Sequence, residues 1–138
     1  MTTSIRPAIS SRKKYWISKE RYYELKHFCM QYSEWKKLYL ELSDTSYPGS
    51  IVKRTFRTDL SDLTSEKAII LCSLHKKMAL VEDTAKRADL GLWDYIFKAV
   101  TENRSYVYLD TVLHIPCSKD LYYDRYRKFF WLLSFEKE

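Results

Sequence analysis

A chain of 138 residues is long enough for one domain with a real hydrophobic core, and 46% hydrophobic with 30% charged residues is a globular balance rather than a disordered one. Two glycines and three prolines are too few turn-makers for an all-β fold, so an all-α fold is expected, with about five helices. The net charge of +6, with a pI near 9.1, favours polyanions as partners without naming one.

Cys29, Cys72 and Cys117 are odd in number and far apart, as free thiols in a reducing compartment would be. No run of about 18 apolar residues and no secretion signal is evident, so no membrane span is expected and the cytosol is the expected location. Aromatic residues reach 16%, twelve of them tyrosines. Tyrosine has an apolar body and a polar tip. Packing at core edges accounts for most of this set, and a surface that meets a partner for the rest.

Residues 1–14 hold Arg6, Arg12, Lys13 and Lys14 without an acidic residue or any periodicity. They read as a flexible basic arm, either simply solvated or following a nucleic-acid backbone or minor groove. Residues 15–138 read as a single helical domain. Ser18 is placed to cap a first helix, along which Leu25, Phe28, Tyr32, Trp35, Tyr39 and Leu42 repeat at alternating spacings of three and four. That stripe predicts one helix of about five turns, packed inside the domain in preference to a coiled-coil seam. Ser43 to Gly49 ends it with breakers. The stretch from Ser50 to Leu63 reads as a basic loop exposing Lys53, Arg54 and Arg57.

Thr64 or Asp62 is expected to cap a second helix over Ser65 to Ala88, burying Ile70, Leu74, Met78, Val81, Ala85 and Ala88. Asp89 is expected to cap a third, with Trp93, Ile96, Phe97 and Val100 at helical spacing. Ser105 and Ser118 are expected to cap a fourth and a fifth. Two heptapeptides echo one another, Ser18 to Glu24 (SKERYYE) and Ser118 to Asp124 (SKDLYYD). The match lapses beyond them, so it reads as the same helix-start chemistry used twice rather than a duplicated domain.

No enzyme chemistry is legible. His27 and Cys29 lie too close on a helix to share a face. His114 and Cys117 have no second pair at metal-ligand spacing, so no metal or other cofactor is expected. Gly49 and Gly91 alone build no phosphate loop, and the acidic residues are scattered.

Residue order points to an activity in one stretch, residues 105–135. A short apolar-periodic run ends at Ile115-Pro116, and Ser118 then opens a longer run of tyrosine, arginine and lysine. Short helix, tight turn and basic second helix is the grammar of a helix-turn-helix, whose second helix enters the DNA major groove. The inward face of this helix is read as Tyr122, Tyr126 (or Arg125 near the rim), Phe129 and Leu133. Lys119, Tyr123 and Arg127 then lie a turn apart on one outward face and are the candidates for base contacts. Arg125, Lys128 and Arg104, with Arg12, Lys13 and Lys14 of the arm, are the candidates for phosphates. Asp120 and Asp124 hold the segment 119–128 to a net +2.

Ser105-Tyr106, Ile115 to Lys119 and Tyr122 to Phe129 resemble the C-terminal motif of RinA/ArpU-type phage late-gene transcriptional regulators of Gram-positive bacteria. Those proteins end in a helix-turn-helix similar to region 4 of sigma factors. The block Lys13 to Ser18 with Trp35-Lys36-Lys37 is similar to small phage and prophage proteins of Firmicutes. The resemblance covers about thirty residues, and Asp120 and Asp124 depart from its basic run. It implies a phage-encoded, sequence-specific transcription factor on double-stranded DNA, as a homodimer on paired half-sites or as a monomer beside host RNA polymerase.

A second function class fits the same residues. Tyr15, Trp16, Tyr106, Tyr108 and Trp131, if exposed, would suit a protein-interaction factor that binds and modulates a host polymerase, nuclease or defence protein. The DNA-recognition subunit of a packaging enzyme is a third reading, distinguished by forming a large ring.

Overall fold

The computed structural model describes residues 14–43 and 60–137, and among them the protein is all-helical, without a strand. The helices are α1 (Lys19–Met30), α2 (Tyr32–Ser43), α3 (Leu60–Ala88), α4 (Trp93–Glu102), α5 (Tyr106–Thr111) and α6 (Lys119–Glu136). Arm residues 1–13 and the loop expected to expose Lys53, Arg54 and Arg57 lie outside the described residues.

The expected serine caps are in place. Ser18, Ser105 and Ser118 each sit in extended backbone and accept a hydrogen bond from the amide three residues on, at 3.2 Å from Arg21, 3.3 Å from Tyr108 and 3.2 Å from Leu121. Each satisfies one of the amides that a helix start leaves unpaired.

Asp89, expected to cap α4, lies before its start: the N-cap is Leu92, which makes no side-chain cap bond. Two further boundaries differ from expectation. The long first helix is two helices, broken at Gln31. The Gln31 amide turns to the Phe28 carbonyl at 3.2 Å, and its side-chain amide reaches the His27 carbonyl at 3.4 Å. The side chain thus meets the acceptor that a continuing helix would pair with the backbone, so the break costs little. At the other boundary, α3 starts at Leu60, not Ser65, which puts Asp62 and Thr64 inside the helix rather than at its cap. Its expected buried face holds for Leu74, Met78, Val81, Ala85 and Ala88, while Ile70 is exposed.

Among the described residues the chain divides into two compact units, 14–31 with 80–137 and 32–43 with 60–79. In the first, α1 packs against both α4 and α6, and α4 against α5 and α6. The core takes Tyr22, Leu25 and Cys29 from α1, and Val81, Thr84 and Ala85 from the end of α3. It adds Ile96 and Val100 from α4, Leu109 from α5, and Tyr122, Tyr126, Phe129, Phe130 and Leu133 from α6. A fully buried Phe or Leu side chain stabilises by about 1.5–3 kcal/mol, so α6 is the largest contributor. Arg21 ties α1 to the end of α6 by donating to the carbonyls of Ser134, at 3.0 Å, and Lys137. In the second unit α2 meets the middle of α3. Lys77 Nζ sits 5.7 Å from the Trp35 ring, and the Tyr39 and His75 rings are 6.4 Å apart.

The two echoed heptapeptides meet inside the first unit. Tyr22 and Tyr122, each four residues after its capping serine, are 0% and 1% exposed. Both rings pack on Tyr126, with centroids 6.4 and 5.8 Å away, and the Tyr22 and Tyr126 hydroxyls hydrogen-bond at 2.8 Å. No helix among the described residues is long and apolar enough to cross a membrane.

Candidate functional site

The corner between α5 and α6 is built around Tyr106. Its ring packs on Tyr122 and Tyr123, at 5.4 and 6.3 Å, and its hydroxyl donates to the Cys117 carbonyl at 3.0 Å. This fixes the six-residue α5 against the start of α6. The connection from Val112 to Ser118 has seven residues, longer than the three to four of a tight helix-turn-helix turn. The helix stops at Thr111, and His114 takes a left-handed conformation at φ 54°. That reverses the chain and drops Ile115 into the core, where its amide bonds the Leu109 carbonyl at 3.0 Å. Isoleucine 115, expected to end the apolar run of a helix, is a buried plug in the turn.

The candidates for base contacts are not equally free. Lys119 is exposed at the start of α6. Tyr123 is half-buried among the rings of Tyr106, Tyr122 and Tyr126, and burial pushes its phenol pKa up. The Arg127 side chain is only 12% exposed, with its guanidinium 3.9 Å from Asp124.

The candidates for phosphate contacts divide in the same way. Arg125 donates from Nε to Asp89 Oδ2 and from a terminal nitrogen to Asp124 Oδ2, both at 3.1 Å. Asp89 Oδ1 meanwhile accepts from the Gly91 and Leu92 amides at 2.8 and 3.0 Å, so one carboxylate shapes the turn into α4 and holds that turn to α6. Arg104 is exposed, with its guanidinium 4.3 Å from the Tyr108 ring centroid and 3.3 Å from Glu102. Lys128 is half-exposed, and among the described residues neither it nor Lys119 enters an ion pair. Lys14 is exposed, 5.3 Å from the Tyr15 ring; Arg12 and Lys13 lie outside the described residues. No family model matches the chain, and no curated protein or solved structure matches it significantly. The likeness to RinA/ArpU-type regulators therefore stands on the quoted residues alone.

The remaining reactive side chains are spread through the structure. Cys29 is buried and its thiol is held well above its ordinary pKa by burial; Cys117 is half-buried and raised by burial and by the Asp89 carboxylate. Neither is a thiolate at neutral pH. Among the described residues no three His, Cys, Asp or Glu side chains are grouped to hold a metal ion. Of the aromatics expected on the surface, Trp16 is exposed, and Tyr106, Tyr108 and Trp131 are half-buried. Tyr15 is buried, contrary to expectation, because it packs against Trp131.

Sequence reading missed the Asp89–Arg125 bridge, whose partners lie 36 residues apart. The Tyr22–Tyr126 hydroxyl pair was equally out of reach, since its partners lie 104 residues apart and Tyr126 falls beyond the echoed heptapeptide.

Proposed function

We propose that the chain is a phage-encoded transcriptional regulator that reads duplex DNA with the first turns of α6. The observation that carries this reading is the exposure of Lys119 at a serine-capped helix start that α5 buttresses through Tyr106. A helix end presented in this way suits the major groove, where the leading residues of a recognition helix reach base edges. Lys119 is the leading base contact, with Tyr123 and Arg127 behind it on a flank that winds towards the buried face. Lys128 and Arg104 neutralise phosphates, and the arm residues Arg12, Lys13 and Lys14 add a further backbone contact. Arg125 acts instead through the shape of the site, by holding the α3–α4 turn.

The test is selection of bound duplexes from a randomised pool, followed by titration of the winner against rising salt. A defined consensus is expected, with affinity falling as counterions are released. Lys119→Ala is expected to relax the preference at one base position. The absence of duplex binding at low salt would refute the proposal.

A second reading has one observation in its favour. Val107, Val112 and Leu121 are 66%, 53% and 39% exposed along α5, the connection and the start of α6. Exposed apolar residues in this part of the chain suit a host protein partner such as a polymerase, a nuclease or a defence protein. Capture of one partner that survives nuclease treatment and is lost on Val107→Asp would favour it.

A further inference from the structure

The far end of α6 carries a row of aromatic rings that the α5–α6 corner does not use. Trp131 and Phe135 lie one turn apart, and Tyr15, from the segment before α1, packs on Trp131. Ring centroids are 5.4 Å apart from Tyr15 to Trp131 and 4.9 Å from Trp131 to Phe135. Exposure rises along the row, from 7% at Tyr15 through a half-buried Trp131 to 67% at Phe135. Trp131 and Phe135 meet edge to face at 89°. Tyr15 also packs on Trp131, so the ring surface left open to a further planar group is that of Phe135 and the exposed part of Trp131.

The charge beside the row is cationic. Lys14 lies over the Tyr15 ring at 5.3 Å, and Arg12 and Lys13 precede it in sequence. Glu136, the carboxylate next to Phe135, is neutralised by Arg87 at 3.4 Å.

We propose that Trp131 and Phe135, backed by the buried Tyr15 and flanked by Lys14, form a stacking platform for single-stranded nucleic acid. Open π-faces accept unpaired bases of any sequence, and the neighbouring cation meets the backbone. A duplex offers no such faces, because its bases are already stacked on one another. Apart from Lys14, which the arm shares with it, the platform stands away from the proposed recognition end of α6. Phe135 follows Lys119 by sixteen positions of continuous helix, which is about 24 Å along the axis.

The experiment titrates the full chain with short oligo(dT) and oligo(U) strands, following tryptophan fluorescence and the anisotropy of a labelled strand. Quenching is expected on binding, with log K falling by about 0.7 per neutralised phosphate for each decade of salt. Phe135→Ala is expected to weaken single-strand binding about 5- to 30-fold while leaving duplex binding and the thermal melt as in the parent. Lys119→Ala is expected to leave single-strand binding intact, and comparing the two oligonucleotides assigns the site to DNA or RNA. Three results would overturn the proposal: no binding of either strand at low salt, undiminished binding by the Phe135→Ala variant, or Phe135-dependent binding to anionic lipid vesicles with none to the oligonucleotides.

Discussion

Asp89 is the residue whose replacement best separates a structural from a nucleic-acid role on α6. Its Oδ1 holds two backbone amides and its Oδ2 holds Arg125, so Asp89→Ala removes three interactions at once. The two amide bonds contribute about 1 kcal/mol each. The Asp89–Arg125 pair is partly wet, with side chains 22% and 31% exposed, so screening limits it to about 0.5–1 kcal/mol. The expected loss is therefore about 2–3 kcal/mol for Asp89→Ala. Asp89→Asn keeps an oxygen for both amides and gives up only the charge, for a loss of about 1 kcal/mol. Arg125→Ala loses the pair and some packing of its stem, for about 1 kcal/mol as well. Urea unfolding followed by circular dichroism gives the order directly, provided the slope with denaturant stays constant. An Arg125→Ala variant as unstable as Asp89→Ala would refute the division of labour between the two carboxylate oxygens. So would an Asp89→Ala variant within about 0.5 kcal/mol of the parent.

Removing the Tyr126 hydroxyl by Tyr126→Phe strips a buried partner from Tyr22 and is expected to cost about 1–2 kcal/mol, whereas Tyr22→Phe combined with Tyr126→Phe costs less than the sum of the singles; strict additivity in the double-mutant cycle would deny the bond. Alkaline pH gives an independent view of the same cluster. Burial raises the pKa values of Tyr122 and Tyr126, and that of Cys29, so above the ordinary values of 10.0 and 9.0 the unfolded chain releases protons that the folded chain keeps. Stability is then full below about pH 9 and falls as pH rises, each group contributing about 1.4 kcal/mol per pH unit while its folded form stays protonated; a flat urea midpoint from pH 9 to 11 would contradict this. Phe129→Ala, at 0% exposure, is expected to cost about 3–5 kcal/mol by thermal or urea unfolding.

The parts of this fold that were legible in the sequence are those set by neighbouring residues. Ser18, Ser105 and Ser118 mark helix starts because a hydroxyl at that position meets an amide three residues on, whatever the rest of the chain does. The buried face of α3 from Leu74 to Ala88 follows from helical period alone. The break at Gln31 does not. The stripe from Leu25 to Leu42 keeps its spacing through residue 31, and the same spacing serves one long helix or two short ones. What marks the division is that Tyr22, Leu25 and Cys29 bury in one unit and Trp35 in another. Tyr15 illustrates a signal that was present but short. Tyr15 and Ile17 are buried and Trp16 is exposed, an alternation of extended chain too brief to distinguish from an exposed aromatic tail.

The charged side of α6 was the least legible part, for a geometric reason. Residues four apart on a helix advance about 40° around its axis, so Lys119, Tyr123 and Arg127 sweep about 80° rather than forming a straight row. Periodicity locates the centre of the buried face but leaves its flanks to whatever packs there, and on this flank exposure falls from Lys119 to Arg127. Asp124, expected to dilute the charge of a recognition helix, instead lies beside both Arg125 and Arg127. This changes what duplex binding would look like in salt. With Lys128, Arg104 and the arm residues Arg12, Lys13 and Lys14 on phosphates, the slope of log K against log salt is expected near −4.5, at about −0.9 per phosphate. If Arg125 and Arg127 leave their carboxylates to join them, the slope steepens to about −6.3. Measuring it on the parent and on Asp124→Asn, which loosens both arginines without removing them, separates the two cases. A steep slope that does not change on Asp124→Asn would mean that the arginines face the DNA and that the ion pairs at Asp89 and Asp124 do not restrain them.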